Sequence, residues 1–357
     1  MIITIDCRHL EYSGIGVYLQ GCLPYFLDTD NYFYLIGDSV KLESFVSGRK
    51  NVCVLDCHIK PFSLCELFLF PKRLLSIINK GTLYYSAYCN IPRGIKIPVY
   101  TTIHDIIFPD FPELVTNIGL MARMWFYRRA FRKSKKMFTV SEFSKSRIQH
   151  HLGSTKPIIV THVAIQPRFT EYIDKNRDIQ KKQTIVFIGN IKKHKGLDYL
   201  LDAFLSAKKE GLPHKLIIIG SKENFRSSDN AILKKIYSVN ADSVSFSGFI
   251  SDEQLVTVLS EASLLAQPSL YEGFGLPPLE AMTFGTHALV SDIPAFKEIY
   301  SDFPVTFFRA GDADDLKNKL LEILQRPPPE PLVLTKELSL RFTFEKTAKV
   351  ILRELEA

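Results

Sequence analysis

Glu272 and Glu280 are separated by seven residues and enclose a glycine-containing turn, in the segment Tyr-Glu-Gly-Phe-Gly-Leu-Pro-Pro-Leu-Glu. Gly275 allows a tight turn with little steric restriction, and Pro277 suits the first turn of a helix, where no backbone N–H is needed. The N–H groups at the start of such a helix attract phosphate or another anion. The segment therefore predicts an anion-binding turn flanked by two carboxylates. The alternative is a solvated loop charge at Glu272 and a helix-dipole partner at Glu280.

A basic loop at residues 191–196 follows an apolar run at 184–188 and precedes an amphipathic segment at 197–207. This order predicts a buried strand, a loop and a helix. Lys195 would then lie beyond the carboxyl end of the strand, where a lysine can neutralise a diphosphate. A solvated loop has a similar composition, so that alternative stays open.

His104 and Asp105 directly follow another apolar run, residues 99–103. Ligands of open α/β sheets bind beyond the carboxyl ends of the strands, so His104 is a candidate for chemistry. A structural histidine is the alternative.

Residues 13–16, Ser-Gly-Ile-Gly, lie between a β-branched run at 1–6 and a periodic segment at 17–27. A strand, a glycine loop and a helix in this order are typical of the first turn of a dinucleotide fold, but the third glycine of that motif is absent. Gly16 is therefore predicted either to approach a phosphate or to serve an ordinary tight turn.

Aromatic residues alternate with basic ones in residues 120–136, at roughly helical spacing. A helix of this composition can rest on an anionic membrane surface, which would place the protein at the inner face of that membrane. The alternative is a packed helix with a solvated basic face.

The chain has 357 residues, more than one ordinary hydrophobic core holds, and this length predicts two domains. Strands alternate with helices in both halves, a pattern typical of doubly wound parallel sheets. A polar segment at 172–183 separates the halves. We therefore expect an N-terminal domain at 1–170 and a C-terminal domain at 171–338.

The composition, with 46% hydrophobic and 23% charged residues, excludes a disordered or fibrous protein. The net charge of +7 is too moderate to indicate nucleic acid. No apolar run reaches the roughly 18 residues that span a bilayer, and the first residues lack the basic segment of a signal peptide. We expect a cytoplasmic protein. We expect no metal site, because the acidic residues 312–315 have the pattern of a helix N-terminus.

In this order, these motifs resemble those of the retaining glycosyltransferases of family 4, which have the architecture of two Rossmann-like domains facing a central cleft, called GT-B. The resemblance spans nearly the whole chain. Its most specific part is the Glu-x7-Glu signature at Glu272 and Glu280. The other matching motifs lie at 13–16, 102–105, 140–144, 188–190, 195–196 and 342–345.

The resemblance implies a role for each matching residue. Glu272 would contact hydroxyls of the donor sugar, Glu280 would hold the ribose, and Lys195 would offset charge on the leaving diphosphate. From the N-terminal domain, Gly16 would approach the diphosphate and His104 the transferred sugar. Asp105 would orient the imidazole or only cap its loop. Backbone amides that would meet the sugar or phosphates belong to Phe274, Gly275 and Leu276.

The sequence departs from the family pattern at two positions. Many members have arginine where this chain has Asn190, which the resemblance places among the donor-binding residues. Lys192 or Lys193 would then have to supply the missing positive charge. Phe344 stands where tryptophan is common, in a final helix that packs back on the first domain in the family. Residues 339–357 are therefore assigned to the N-terminal domain.

The resemblance implies retaining transfer of a hexose from a nucleotide sugar, with GDP-mannose favoured, to a glycan or lipid-linked acceptor in surface polysaccharide biosynthesis. It implies no cofactor, the nucleotide-diphosphate sugar being a co-substrate, and no nucleic-acid partner. A sugar-nucleotide epimerase of the same fold is the alternative. An NAD-dependent oxidoreductase fits less well, because the G-x-G-x-x-G motif is missing. A non-catalytic sugar-binding protein would not need the basic loop around Lys195.

Overall fold

The computed structural model describes residues 1–11, 13–169, 172, 179–220, 243–324 and 330–357. Contacts divide the chain into two compact units. Unit 1 comprises Met1–Gln166 and Phe342–Ala357, and unit 2 comprises Pro167–Arg341.

The unit boundaries can be set beside the expected ones. We expected the first domain to end at residue 170, and the contacts divide the chain after Gln166. We expected the return to the first domain at residue 339, and the contacts place it at Phe342. Residues 173–178 of the predicted polar separator lie outside the described residues.

Unit 1 is built on a sheet whose neighbouring strands are all parallel in the described part of the chain. The strands are β1 (Ile2–Asp6), β2 (Tyr32–Gly37), β3 (Val52–Asp56), β4 (Leu83–Ser86), β5 (Val99–Thr102), β6 (Ser134–Thr139) and β7 (Ile158–Val160). Their spatial order is β3-β2-β1-β4-β5-β6-β7. Parallel strands are covered on both faces, which explains why every residue of β4 and β5 is buried.

Helices connect these strands. They are α1 (Ser13–Leu27), α2 (Ser39–Val46), α3 (Leu64–Phe68), α4 (Lys72–Ile78), α5 (Ile107–Asp110), α6 (Asn117–Lys133) and α7 (Glu142–Leu152). The strand order reverses between β1 and β4, where Asp6 lies opposite Ser86 in the register. In open α/β sheets this reversal marks the crevice where ligands bind.

Unit 2 repeats the plan with a second sheet, also parallel throughout its described part. The strands are β8 (Lys182–Ile188), β9 (Lys215–Ile219), β10 (Val244–Gly248), β11 (Ala262–Gln267), β12 (His287–Ser291) and β13 (Val305–Phe308). Their order is β10-β9-β8-β11-β12-β13. The reversal lies between β8 and β11, so the loop with Lys195 and the loop with Glu272 leave neighbouring strands.

The helices of unit 2 cover both faces of this sheet. They are α8 (Leu197–Lys209), α9 (Asp252–Glu261), α10 (Leu276–Thr283), α11 (Pro294–Tyr300), α12 (Ala313–Leu324) and α13 (Lys336–Ser339). Asp312 Oδ1 accepts hydrogen bonds from the N–H groups of Asp314 and Asp315 at 3.1 and 2.9 Å. The acidic run therefore begins α12, as its pattern predicts.

The last helix, α14 (Phe344–Glu356), packs on α1 within unit 1. A Cβ atom on Gly21 would lie 2.3 Å from the ring of Phe344, so the glycine makes room for the phenylalanine. Thr347 Oγ1 donates a hydrogen bond to the carbonyl oxygen of His162 at 2.5 Å, and Lys136 pairs with Glu354 at 3.0 Å. These contacts attach the end of the chain to unit 1.

Three details of the sequence-based expectations are wrong. Residues 13–16 were expected to form a loop, but α1 begins at Ser13, so they form its first turn. The helix expected at 120–136 ends at Lys133, and residues 134–136 begin β6. The strands β7 and β13 were not expected. They are short, with three and four residues, and lie at the edges of their sheets.

No helix among the described residues is long and apolar enough to cross a membrane.

Candidate functional site

Two of the predicted site residues, Lys195 and Glu272, form an ion pair in unit 2. Lys195 Nζ donates to Glu272 Oε1 at 2.7 Å, and the side chains are 22% and 10% exposed. Ser269 Oγ donates to the same oxygen at 2.8 Å and accepts from Gln267 Nε2 at 3.1 Å. A carboxylate bound by two donors has a fixed orientation, while the lysine remains accessible to a ligand.

Backbone contacts hold the two loops together. The N–H of Leu270 donates to the carbonyl oxygen of His194 at 2.7 Å. Gly196 has a φ of +68°, and a Cβ atom there would lie 1.9 Å from the carbonyl oxygen of Pro268. Only glycine allows this approach. Gly196 therefore sets the position of Lys195 beside the loop that carries Glu272.

His194, the residue before Lys195, is buried and adds no charge to the loop. Burial lowers the pKa of the His194 imidazole to about 3, and the charges of Lys195 and Lys192 lower it further. The imidazole is therefore neutral at pH 7, so the positive charge of the loop comes from its lysines.

The turn predicted at Gly275 is present and is held by contacts from α11, while its binding of an anion stays a prediction. Gly275 has a φ of +83°, and a Cβ atom there would lie 2.3 Å from the ring of Phe296. The hydroxyl of Tyr300 donates to the carbonyl oxygen of Gly275. These two aromatic residues define the shape of the turn.

The helix α10 follows the turn directly. Pro277 occupies its first turn, and Gly275 is its N-cap, with no side-chain hydrogen bond at the cap. The N–H groups of Gly275 and Leu276 have no hydrogen-bond acceptor among the described residues. Phe274, which precedes them, is buried. The turn therefore presents two N–H groups at the positive end of a helix dipole.

Glu280 lies in α10 and is half-buried. Burial raises the pKa of its carboxyl to about 7, the charge of Asp252 raises it further, and Arg168 opposes both. Neither an ion pair nor a hydrogen bond to the Glu280 carboxylate occurs in the described part of the chain. A partly desolvated carboxyl without a protein partner is suited to receive hydroxyl donors of a ligand.

Asn190 lies two residues after β8 and is exposed. Its carbonyl oxygen accepts from the N–H of Lys192 at 2.9 Å, which turns the chain toward Lys195. The preceding residue packs tightly, because a Cβ atom on Gly220 would lie 2.1 Å from the carbonyl oxygen of Gly189. The donor-binding role of Asn190 stays a prediction.

Gly16 lies in the first helical turn of unit 1. A Cβ atom there would lie 2.3 Å from the carbonyl oxygen of Leu10 and 3.2 Å from that of His9. Glycine at this position is therefore required by the packing of α1 against the loop after β1. The approach of Gly16 to a phosphate stays a prediction.

His104 follows β5 in unit 1, and its imidazole is held on two sides. Nε2 lies 3.0 Å from the carbonyl oxygen of Ala87, and the ring meets that of Tyr18 edge-on at 4.8 Å. Burial lowers the pKa of His104 to about 4, so the imidazole is neutral at pH 7. Because a carbonyl oxygen only accepts, Nε2 carries the proton and Nδ1 has the lone pair.

Asp105 does not share that hydrogen bond. Its Oδ1 accepts from the N–H of Ile107 at 3.2 Å, at the start of α5, whereas the imidazole of His104 is oriented by Ala87. The loop-capping alternative is therefore the one that the contacts favour.

Sequence reasoning missed several residues that shape these sites. Tyr18, Phe296 and Tyr300 act through contacts between segments far apart in the chain, whereas Ser269 binds Glu272 only three residues away. A pattern within one segment carries no signal for such contacts. The sequence indicated a role for Ser269 and Tyr18 only by their position, because Ser269 lies shortly before Glu272 and Tyr18 shortly after the motif at 13–16.

Among the described residues, one group of three potential metal ligands lies within 4.8 Å of one another: Asp38, Asp56 and His58. It includes none of the predicted site residues, and its members lie at the surface of unit 1 or are half-buried.

Comparisons with known proteins agree with the motifs. Residues 168–337 match the family model described as "Glycosyl transferases group 1". The O-antigen chain mannosyltransferase B of Escherichia coli is 25% identical over 72% of this chain and 69% of its own length. An uncharacterized glycosyltransferase of Methanocaldococcus jannaschii is 25% identical over 94% of this chain and 92% of its own length.

Solved structures share the fold over the full length. Anabaena Alr3699/HepE, crystallised with UDP and glucose, has a TM-score of 0.73 at 16% identity and covers 100% of this chain and 99% of its own. Sucrose-phosphate synthase of Thermosynechococcus elongatus has a TM-score of 0.70 at 15% identity and covers 100% of this chain and 98% of its own. The chain therefore has the GT-B fold, and its residues 168–337 match the group 1 glycosyltransferases.

Proposed function

We propose that this chain transfers a hexose, with retention of anomeric configuration, from a nucleotide-diphosphate sugar to a glycan or lipid-linked acceptor in surface polysaccharide biosynthesis. The observation that carries the proposal is the Lys195–Glu272 pair. It joins the loops that follow β8 and β11, the neighbouring strands between which the strand order of unit 2 reverses. One of those loops also contains the N–H groups of Gly275 and Leu276.

The chemistry of sugar transfer explains why such a site is needed. The bond between the anomeric carbon and the diphosphate oxygen breaks, so positive charge develops on the carbon and negative charge on the diphosphate. The acceptor hydroxyl oxygen then bonds to the anomeric carbon, and its proton leaves with the diphosphate. Lys195 and the two N–H groups would stabilise the departing negative charge.

Glu272 would orient the donor sugar. Its Oε1 is occupied by Lys195 and Ser269, whereas its Oε2 accepts no hydrogen bond among the described residues. An ionised carboxylate oxygen is a strong acceptor for sugar hydroxyls. Glu272 would therefore bind the sugar through one oxygen while the other remains held by the protein.

Glu280 would bind the ribose, and His104 would meet the transferred sugar. The Glu280 carboxyl lies in a partly desolvated place, where hydrogen bonds are stronger than in water. His104 is neutral and offers its Nδ1 lone pair to a hydroxyl. Asn190 and Phe274 complete the set of proposed donor-binding residues.

GDP-mannose is the proposed donor. Support comes from relatives whose names describe O-antigen mannosyltransferases, in Escherichia coli and in Salmonella typhimurium, the latter 27% identical over 56% of this chain and 54% of its own length. A lipid-linked acceptor would bring the enzyme to a membrane surface, in agreement with the membrane contact considered for residues 120–136.

A two-step experiment tests the proposal. Thermal-shift measurements with GDP-, UDP- and dTDP-sugars should show stabilisation by one nucleotide, with GDP-mannose expected. Incubation of that donor with glycan acceptors should then yield a glycoside, whereas release of an epimer or free sugar alone would favour the epimerase. Stabilisation by NAD and by none of the sugar nucleotides would refute the transferase proposal.

A further inference from the structure

Exposed apolar side chains are concentrated on one part of unit 1. The structure leaves 13 large hydrophobic residues exposed among those it describes, and seven of them lie in two short segments. Those seven are Phe62, Leu64, Phe68, Leu69, Ile118, Met121 and Trp125. A contiguous exposed apolar surface marks an interaction site more often than scattered residues do.

The second segment forms one face of α6. Ile118, Met121 and Trp125 follow one another at spacings of three and four residues, so they share a helix face. They are 81%, 72% and 44% exposed. The exposed residues Arg128 and Arg132 continue the same face toward the end of the helix. This face is therefore apolar over its first half and basic over its second.

Ring contacts join this face to the segment around α3. Phe62 meets Phe126 edge-on at 5.0 Å, and Phe126 meets Trp125 at the same distance. Arg129 lies over Trp125 and donates to the carbonyl oxygen of Ile91, two residues before Arg93.

A second link closes the surface. Arg93 itself lies over the ring of Phe68, with 5.8 Å between the guanidinium carbon and the ring centroid. The segments 62–69 and 118–125 therefore lie side by side and form one surface, which we call the α3–α6 surface.

Both segments are depleted of exposed negative charge. The sequence of α6 contains neither Asp nor Glu. The single acidic residue of α3, Glu66, is fully buried and pairs with Arg8 at 2.5 Å. Asn90 Nδ2 also donates to Glu66, at 3.0 Å. The exposed apolar residues of α6 are therefore followed by the positive charges of Arg128 and Arg132. The acidic side chain of Glu66 is buried within unit 1.

We infer that the α3–α6 surface docks on an anionic phospholipid bilayer, with the apolar residues inserted between headgroups and the basic end of α6 bound to their phosphates. An amphipathic helix of this kind lies in the plane of the interface. The inference corrects the sequence-based view of residues 120–136, because the aromatic residues Tyr127 and Phe131 are buried. The apolar contact belongs to residues 118–125 and to the segment 62–69.

Trp125 is the only tryptophan of the sequence, so its fluorescence reports on this surface without a label. The full chain is mixed with vesicles of phosphatidylcholine alone, or of phosphatidylcholine with phosphatidylglycerol, without any sugar nucleotide. We expect a blue shift of the emission and co-sedimentation with the anionic vesicles only, both reduced by salt. Absence of both signals, or equal binding to neutral vesicles, would overturn the inference.

Three variants locate the surface. A first variant carries Ile118→Ser and Met121→Ser, and a second carries Leu64→Ser and Phe68→Ser. A third removes three positive charges by Arg128→Gln, Arg132→Gln and Lys133→Gln. Since each basic residue near an anionic surface contributes about a five-fold change in partitioning, the third variant should bind on the order of 100-fold more weakly.

Matched controls change equally exposed residues elsewhere. Phe249→Ser with Val333→Ser controls for apolar loss, and Lys182→Gln, Lys349→Gln and Arg353→Gln for charge loss. The controls should bind vesicles as the unchanged chain does. Reduced binding in the controls and variants alike would overturn the inference. So would a dimer in light scattering that the α3–α6 variants dissociate, because the surface would then bind a second copy.

Failure of this inference is distinct from failure of the proposed function, because vesicle binding is measured without a sugar donor and donor binding without vesicles.

Discussion

Lys195 Nζ lies 2.7 Å from Glu272 Oε1, although 76 residues separate the two in the chain. The lysine proposed to bind a diphosphate is thus paired with the carboxylate proposed to bind a sugar. Donor binding would replace part of this pair with contacts to the phosphate. The two residues should therefore have opposite effects on nucleotide affinity.

Glu272→Ala should strongly lower the rate of sugar transfer with little loss of fold, because the loop that carries Glu272 is held by backbone hydrogen bonds. Loss of one group that stabilises charge or position in a transition state typically lowers kcat about 100- to 1,000-fold. Steady-state rates with saturating donor, together with Tm, are the measurements. Glu261→Ala removes another paired carboxylate of unit 2 and should leave the rate unchanged. Full activity of Glu272→Ala would show that the sugar is bound elsewhere.

Gly275→Ala should destabilise unit 2 and weaken donor binding. The new methyl group would lie 2.3 Å from the ring of Phe296, in a backbone conformation that alanine rarely adopts. Overpacking and positive φ each cost about 1–3 kcal/mol. Gly211→Ala measures the cost of positive φ alone. Gly211 also has a positive φ, of +95°, but no atom lies within 4 Å of the position of its Cβ. Equal losses of Tm in the two variants would contradict the role assigned to Phe296.

Glu280→Gln should raise the Tm of the nucleotide-free protein at pH 8 but not near pH 4.5. In the folded state burial raises the pKa of Glu280 to about 7 from the ordinary 4.5. The carboxyl is protonated in both states below the ordinary value. Between the two pKa values the carboxyl is ionised only in the unfolded state. The stability of the folded state therefore falls as the pH rises through this range.

Above pH 7 the full cost is present, at most about 3 kcal/mol, and the glutamine variant avoids it. Glu253→Gln, at an exposed position of the same unit, serves as the control and should not change Tm at either pH. A Tm difference that is the same at both pH values would mean that Glu280 is not desolvated in the folded state.

His104 should remain neutral throughout the range in which the enzyme is assayed. Burial lowers its pKa to about 4, so its Cε1–H resonance should be constant above about pH 5.5 and should move only on further acidification. NMR of the unchanged chain, with His104→Gln to assign the resonance, measures this directly. A titration centred near the ordinary 6.5 would refute the buried, Ala87-bound imidazole.

Much of the architecture could be predicted because parallel strands buried on both faces have a strong local signal. The helix start after Gly275 was also predictable from local sequence, because Gly275 permits the turn and Pro277 suits the first turn of a helix. The edge strand Ile158–Val160 gave too short a signal. The first turn of α1 was missed because Gly14 and Gly16 are poor helix formers, and because glycine at position 16 is required by packing against Leu10.

The roles within the site were predictable in part. The sequence indicates which residues follow strands, and therefore that Lys195 and Glu272 belong near one sheet edge. It does not indicate that Ser269 shares the carboxylate of Glu272, that Tyr300 holds the turn, or that Glu66 is buried beside Arg8. The contacts of Tyr300 and Glu66 join distant segments, and the contact of Ser269 depends on how the loop before Glu272 folds.

The most direct test of the central claim is calorimetric titration of a nucleoside diphosphate, GDP first, into the unchanged chain and into Lys195→Ala, Glu272→Ala and the control Lys182→Ala. Lys195→Ala should bind at least about ten-fold more weakly, as loss of one charge-assisted hydrogen bond to phosphate implies. Glu272→Ala should bind at least as tightly as the unchanged chain, because it releases Lys195 from its ion pair, and Lys182→Ala should show no change. Equal affinities for the unchanged chain and Lys195→Ala, or weaker binding by Glu272→Ala, would contradict the assignment of a diphosphate to this lysine.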